Sequence, residues 1–193
     1  MTPLSRKREL ILGRELAFAN AVGAALFEKP KVSFWMVLLP ILFVYFMYRM
    51  QGFRNGRKQF EEEFMITRRR AMDVAFKAAE RGGKPDVDQM ARESGLPEGL
   101  EERYVTWVRA LVDHYMDLLS GEGDSFEGLV RSAYRNRTDY LLTLNQLNAV
   151  EREFYAALKP HLAQSTEGVA DIISTIQDQS ERLRRDLAEL IFP

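Results

Sequence analysis

Hydrophobic residues recur along most of the chain at the three- and four-residue steps of an amphipathic helix. Long strictly alternating stretches, which are typical of sheets, are missing. The pattern therefore predicts an all-α protein. It predicts helices over residues 5–28, from about 58 to 81 and from about 125 to 137, with the last one either ending there or continuing unbroken towards residue 160.

One segment departs from this pattern because it is apolar on every side. Residues 32–48, VSFWMVLLPILFVYFMY, contain seventeen residues and no charge. A helix of a small soluble domain has a polar face, whereas a membrane helix needs none. We therefore predict a membrane segment over residues 31–50. Its anchoring side chains are Phe34, Trp35, Leu38, Leu39, Pro40, Phe43, Phe46 and Tyr48.

Cations stand on both sides of this apolar segment, beyond the aromatic rings at its ends. Aromatic rings followed by cations form the interfacial pattern of membrane helices. We expect these cations to contact lipid headgroups. They are Lys29 and Lys31 before the segment, and Arg49, Arg54, Arg57 and Lys58 after it.

Pro40 leaves two geometries open for the membrane segment. As a helix, seventeen residues reach about 26 Å, slightly less than the roughly 30 Å hydrocarbon core. Proline removes one backbone hydrogen bond and kinks a helix. The sequence favours a single kinked span, and the alternative is a monotopic dip that returns to the leaflet it entered.

Charge is distributed unevenly along the chain. Residues 1–58 hold 10 Lys/Arg and 3 Asp/Glu, which gives +7, and residues 59–193 hold 17 and 25, which gives −8. We predict a basic amphipathic helix at 1–30 that lies on the membrane or packs on the body, the membrane segment at 31–50, and an acidic helical bundle at 51–193. The excess of cations after the segment places the bundle in the cytoplasm, at the inner (cytoplasmic) membrane.

The clearest periodicity lies in the last helix, where apolar residues alternate at four- and three-residue steps. This is a heptad pattern with one polar position, Ser180. Because the preceding turn is short, an antiparallel hairpin with the helix before it is the first expectation, and a seam for another protein is the alternative. The predicted seam residues are Val169, Ile173, Ile176, Leu183, Leu187 and Leu190.

Residues 86–110 resemble a helix-turn-helix unit. Ala91 and Gly95 match its first helix and turn, while Leu100, Tyr104 and Val108 match its second helix. A DNA-reading helix needs basic residues to neutralise phosphates, but this one opens with several glutamates. A structural helix pair is therefore preferred, and we expect no nucleic-acid partner.

A search for chemistry yields no catalytic, cofactor-binding or metal-binding residue. The chain has no cysteine and two histidines, His114 and His161. We interpret His114 as a structural residue, and the triplet of Arg68, Arg69 and Arg70 as a solvated face or a lipid-phosphate contact. The sequence thus predicts a membrane-anchored, non-enzymatic interaction protein: an accessory subunit, adaptor or assembly factor whose partners are the bilayer and another protein. The alternative is a membrane-tethered DNA-binding regulator.

Overall fold

A computed structural model describes residues 2–27, 56–92, 94, 96, 99–163 and 169–193. Across these residues the chain forms seven α-helices and no strand, which confirms the all-α prediction for them. The helices are α1 (Pro3–Phe27), α2 (Gly56–Arg81), α3 (Asp88–Arg92), α4 (Glu101–Ser120), α5 (Phe126–Ala133), α6 (Arg137–Ala163) and α7 (Val169–Ile191).

Helices α1 and α2 pack side by side and run antiparallel. Arg8 pairs with Asp73 near one end. Further along, the ring of Phe18 lies 6.0 Å from that of Phe64. Partner numbers fall on α2 as they rise on α1, so the last residue of α1 and the first residue of α2 lie at the same end of the bundle.

The apolar face of α1 packs on the body of the protein. Ile11, Ala19 and Val22 are fully buried in the common core, and Leu26 is nearly so. This placement decides between the two expectations for the N-terminal helix, because an apolar face that fills the core is not available to a membrane surface.

Helix α4 is the centre of the bundle and packs against α1, α2 and α6. Its inward face carries large aromatic and aliphatic side chains at helical spacing. The Trp107 ring stacks on Phe154 of α6 at 5.2 Å, and Tyr104 meets the same ring at 5.6 Å. These aromatic contacts join the middle of the chain to its C-terminal part.

Helices α6 and α7 form an antiparallel pair. Arg137 at the start of α6 contacts Glu189 near the end of α7, whereas Arg152 further along α6 contacts Glu181. The last helix therefore uses its apolar stripe inside the chain, against α6 and α1.

Two side-chain caps separate α5 from its neighbours. Ser125 accepts a hydrogen bond from the Gly128 amide at 3.1 Å and is the N-cap of α5. Asn136 accepts one from the Asp139 amide at 3.0 Å and begins α6. Because of this second cap the chain turns at 134–136, and the expectation of one unbroken helix through this region is wrong.

The predicted membrane segment, residues 31–50, lies outside the described residues. Among the helices that are described, none has both the length and the apolar composition needed to cross a bilayer.

Candidate functional site: a buried chain of charges

Four charged side chains from four helices meet in the interior of the bundle. They alternate in sign in the order Glu15 of α1, Arg68 of α2, Glu151 of α6 and Arg184 of α7. Arg68, Glu151 and Arg184 are buried, and Glu15 keeps a small exposed fraction. We call this set the charge chain.

The contacts of the charge chain differ in length. Arg68 Nε donates to Glu15 Oε2 at 2.9 Å, and Arg184 Nη1 donates to Glu151 Oε2 at 2.7 Å. The contact that links the two pairs, from Arg68 Nη2 to Glu151 Oε1, is longer at 3.4 Å. Arg184 Nη1 also donates to the side-chain oxygen of Asn148.

Opposite charges hold these groups ionised despite their burial. Burial alone would lower the pKa of Arg68, but the carboxylates of Glu15 and Glu151 outweigh it and raise that pKa. Burial would likewise raise the pKa of Glu151, but Arg184 and Arg68 outweigh it and lower that pKa. Since the set holds two cations and two anions, its formal charge is zero.

Aromatic rings enclose the two guanidinium groups. The Arg68 guanidinium lies 3.8 Å from the centre of the Phe64 ring, within the range of a cation–π contact. The Phe18 ring of α1 lies near both cations, at 5.5 Å from Arg68 and 5.3 Å from Arg184. The rings exclude water around the charges and so strengthen the electrostatic attraction between them.

Sequence reasoning assigned Arg68 to a different environment. Arg68, Arg69 and Arg70 read as one exposed triplet, but Arg68 is 2% exposed while its two neighbours face solvent. A helix turns by about 100° per residue, so three consecutive residues spread over about 200° of its circumference, and Arg68 falls on the inward side. One feature of the sequence does point to a buried cation. Glu151 is a single carboxylate on the apolar stripe of α6, and a buried carboxylate is stabilised by a cation opposite it.

The predicted seam of α7 is placed in part as expected. Ile173, Ile176 and Leu187 are buried, Leu183 is half-buried, and the side chain of Val169 is not among those described. Leu190 is 69% exposed, so it does not belong to the part of the stripe that is buried within this chain. An ideal helix drifts by about 20° per heptad relative to a 3.5-residue repeat, which brings Ile191 instead of Leu190 into the core.

The predicted membrane residues fall mostly where nothing is described. This holds for all eight anchoring side chains and for four of the six cations expected at headgroups, while Arg57 lies on the first turn of α2 without a described side chain. The exception is Lys58, which is exposed on the first turn of α2. It lies at the end of the bundle where α1 ends and α2 begins.

The region that resembles a helix-turn-helix unit is built into the core. Its first helix, α3, has only five residues. The second helix is α4, whose residues Tyr104, Trp107 and Val108 are buried. The outward face at its start presents Glu101 and Glu102, and carboxylates repel a phosphate backbone.

His114 is a buried residue with a side-chain partner. Its Nδ1 lies 2.7 Å from the hydroxyl of Tyr134. Burial, followed by the nearby Arg184 cation, lowers the pKa of His114 to about 4. Within the part of the chain that the structure describes, no group of three or more acidic or histidine side chains is arranged to hold a metal ion.

No protein-family model, no curated protein and no solved structure matches this chain.

Proposed function

We propose that this protein is a membrane-anchored interaction protein without enzymatic activity, held by a segment that dips into one leaflet. The observation that carries the proposal is the antiparallel pairing of α1 with α2, seen in the contacts of Glu15 with Arg68 and of Phe18 with Phe64. The chain leaves the bundle after Phe27 and re-enters it at Gly56, at the same end.

A single span would separate two helices that share one core. It would place α1 on one side of the bilayer and α2 on the other, and would break the buried contact between Glu15 and Arg68. Removing one partner of a buried ion pair costs about 3–5 kcal/mol. The pairing therefore favours the monotopic dip over the kinked span that the sequence alone favours.

The position of Pro40 gives the apolar segment two short arms, whose length suits such a dip. Pro40 divides residues 32–48 into arms of seven or eight residues. At 1.5 Å per residue each helical arm reaches about 12 Å, which is close to half of the roughly 30 Å hydrocarbon core. Both arms would then return to headgroups near the exposed Lys58.

The acidic bundle would carry the interaction function at the inner (cytoplasmic) membrane, facing the cytoplasm. As an accessory subunit, adaptor or assembly factor, it would bind another protein through helical surfaces. The apolar stripe of α7 is occupied by the chain itself through Ile173 and Ile176. Leu142 and Leu190, which are 63% and 69% exposed, remain on the outer faces of the same hairpin.

The membrane part of the proposal is tested by extraction. After an alkaline carbonate wash of native membranes, the chain should stay in the pellet, because its apolar segment is held by lipid. The variant Leu38→Arg/Leu42→Arg should be released, since each arginine at the centre of an apolar helix costs about 2.5–3.5 kcal/mol. The matched control is Leu142→Arg, on the exposed surface of α6. Purification of the unmodified chain without detergent, as a stable soluble species, would contradict the anchor.

The partner is tested by chemical cross-linking of native membranes followed by mass spectrometry. We expect cross-links from lysines and acidic residues of the bundle to a second protein. They should survive in Glu153→Gln, which changes one exposed charge, and weaken in Leu190→Glu. Recovery of contacts only to lipid and to the chain itself would count against an interaction protein.

A further inference from the structure

The charge chain divides into two ion pairs that belong to different parts of the sequence. Glu15 and Arg68 join α1 to α2, while Glu151 and Arg184 join α6 to α7. Each pair is neutral and makes its own short contact, at 2.9 Å and 2.7 Å. The two pairs touch each other only through the 3.4 Å contact between Arg68 and Glu151.

Two features make α6 and α7 a unit. They form one continuous stretch of chain that is joined to α5 by the turn at 134–136. Ion pairs join the two helices at the open end of this hairpin, from Arg137 to Glu189, and near its middle, from Arg152 to Glu181. Contiguous supersecondary units of this kind often open before the whole molecule unfolds.

The electrostatic cost of parting this hairpin from the body is small. A buried ion pair that loses one partner leaves an uncompensated charge, which is strongly destabilising. Here Glu151 keeps Arg184, Arg184 also keeps its hydrogen bond to Asn148, and Arg68 keeps Glu15. The contacts that would be lost are the 3.4 Å contact, the approach of Arg184 to the Phe18 ring, and apolar packing such as Trp107 on Phe154.

We propose that the α6–α7 hairpin is a separately opening unit that swings from the bundle about the turn at 134–136, with the Glu151–Arg184 pair intact. Contacts near the turn stay on the pivot side, including the hydrogen bond from Arg131 Nε to the Ile191 carbonyl at 2.9 Å. Opening exposes side chains of the hairpin that pack on the body, such as Phe154 against Trp107. The opening does not depend on the proposed interaction function.

Native-state hydrogen exchange of the full chain in detergent micelles tests the opening. At low denaturant, amides of α6 and α7 should exchange together and at least tenfold faster than the most protected amides of α2. Their rates should respond to denaturant with a smaller slope than global unfolding, because less surface is exposed. If the protected amides of α2, α4, α6 and α7 all exchanged at one rate with one slope, the bundle would be a single cooperative unit and the proposal would fail.

A charge-swapped pair gives a second and more specific test. Glu15→Arg/Arg68→Glu keeps an ion pair between α1 and α2, but it puts a carboxylate beside Glu151 in place of the guanidinium. Exchange of α6 and α7 should rise at least tenfold relative to α2. Adding Glu151→Arg/Arg184→Glu restores attraction across the interface and should reverse most of that rise. The proposal would be overturned if the exchange rate of α6 and α7 relative to α2 did not change in the first variant. It would also be overturned if the second pair of substitutions did not reverse the rise.

The result is independent of the membrane proposal. Exchange in micelles reports on the bundle whether or not residues 32–48 enter a bilayer, and carbonate extraction reports on the anchor whether or not the hairpin opens. Failure of one therefore leaves the other standing.

Discussion

At the scale of single residues, the interior is organised by charges that apolar pattern alone does not predict. Glu151 could be placed on the apolar stripe of α6 from the sequence, and it is buried there. Its partners could not be placed, because Arg68 and Arg184 each have an exposed arginine next to them and local pattern does not distinguish the neighbours. Only the packing of four helices decides which arginine is buried.

Glu151 is the residue on which the charge chain depends most. It contacts both Arg68 and Arg184, so Glu151→Gln leaves two buried cations with Glu15 as their remaining carboxylate. We expect the free energy of unfolding to fall by about 3–5 kcal/mol. Denaturant titration followed by circular dichroism measures it. Glu153→Gln, two positions away on the exposed face, should change it by less than about 0.5 kcal/mol, and equal effects of the two variants would contradict the account.

His114 should make the fold sensitive to acid. Its pKa falls from an ordinary 6.5 to about 4 because burial, and then Arg184, disfavour the charged form. The folded state therefore binds fewer protons than the unfolded state between these values. The contribution is fully present above pH 6.5 and is lost as pH falls towards 4, by roughly 3 kcal/mol in total.

The comparison of His114→Gln with the unmodified chain isolates this effect. Glu63, whose pKa burial and Glu62 raise to about 7, acts in the opposite direction over much of the same range. We expect the stability difference between the two chains to shrink as pH falls from 6.5 to 4, measured by urea denaturation at each pH. If the difference in stability between His114→Gln and the unmodified chain stayed constant over this pH range, His114 would not be the source of the acid sensitivity.

At the scale of helices, the sequence predicts that a helix is present better than it predicts the residues at which the helix begins and ends. The helix expected from about Lys58 to Arg81 is found at Gly56–Arg81, and the last helix ends one residue beyond its predicted seam. Towards the C-terminus the buried positions of α7 depart from a heptad repeat, because they follow the 3.6-residue period of an ordinary α-helix. Between the first and the last of them the chain advances 18 residues in five steps, which is 3.6 residues per step. Those positions are Ile173, Ile176, Ser180, Arg184, Leu187 and Ile191.

The turn between α4 and α5 packs closely against the backbone of α5, and its sequence alone does not predict this contact. Gly121-Glu122-Gly123 looks superficially like part of a nucleotide loop, but its glycines allow close backbone contact with α5. A Cβ on Gly121 would lie 2.6 Å from the Leu129 carbonyl oxygen, and one on Gly123 would lie 2.8 Å from the Gly128 carbonyl carbon. Local pattern cannot reveal a contact with a helix that follows later in the chain.

Two glycine-to-alanine variants should therefore change stability in opposite directions. Gly121→Ala forces backbone apart and should lower the free energy of unfolding by about 1–3 kcal/mol. Gly13→Ala, in the exposed interior of α1 with no heavy atom within 4 Å of the new Cβ, should raise it by roughly 0.8–1 kcal/mol. Thermal denaturation of both variants checks the signs, and a stabilising Gly121→Ala would show that the turn is looser than described.

At the scale of the whole molecule, the apolar segment at residues 32–48 and the bundle constrain each other. The sequence identifies the apolar segment and leaves open whether it would span a bilayer or dip into one leaflet. The antiparallel pairing of α1 and α2 adds the condition that the chain leaves and returns at one end of the bundle. This condition depends on contacts between residues about 50 or more positions apart, such as Glu15 and Arg68, and for that reason no local pattern contains it.

The chain contains no cysteine, so a single introduced thiol reports its own side of the membrane without background. The most direct measurement compares Glu9→Cys on α1 with Lys77→Cys on α2, both at exposed positions, in inverted and right-side-out membrane vesicles treated with a membrane-impermeant maleimide. The account predicts that both thiols are labelled in inverted vesicles and that neither is labelled in right-side-out vesicles. Labelling of the two thiols from opposite sides would contradict it.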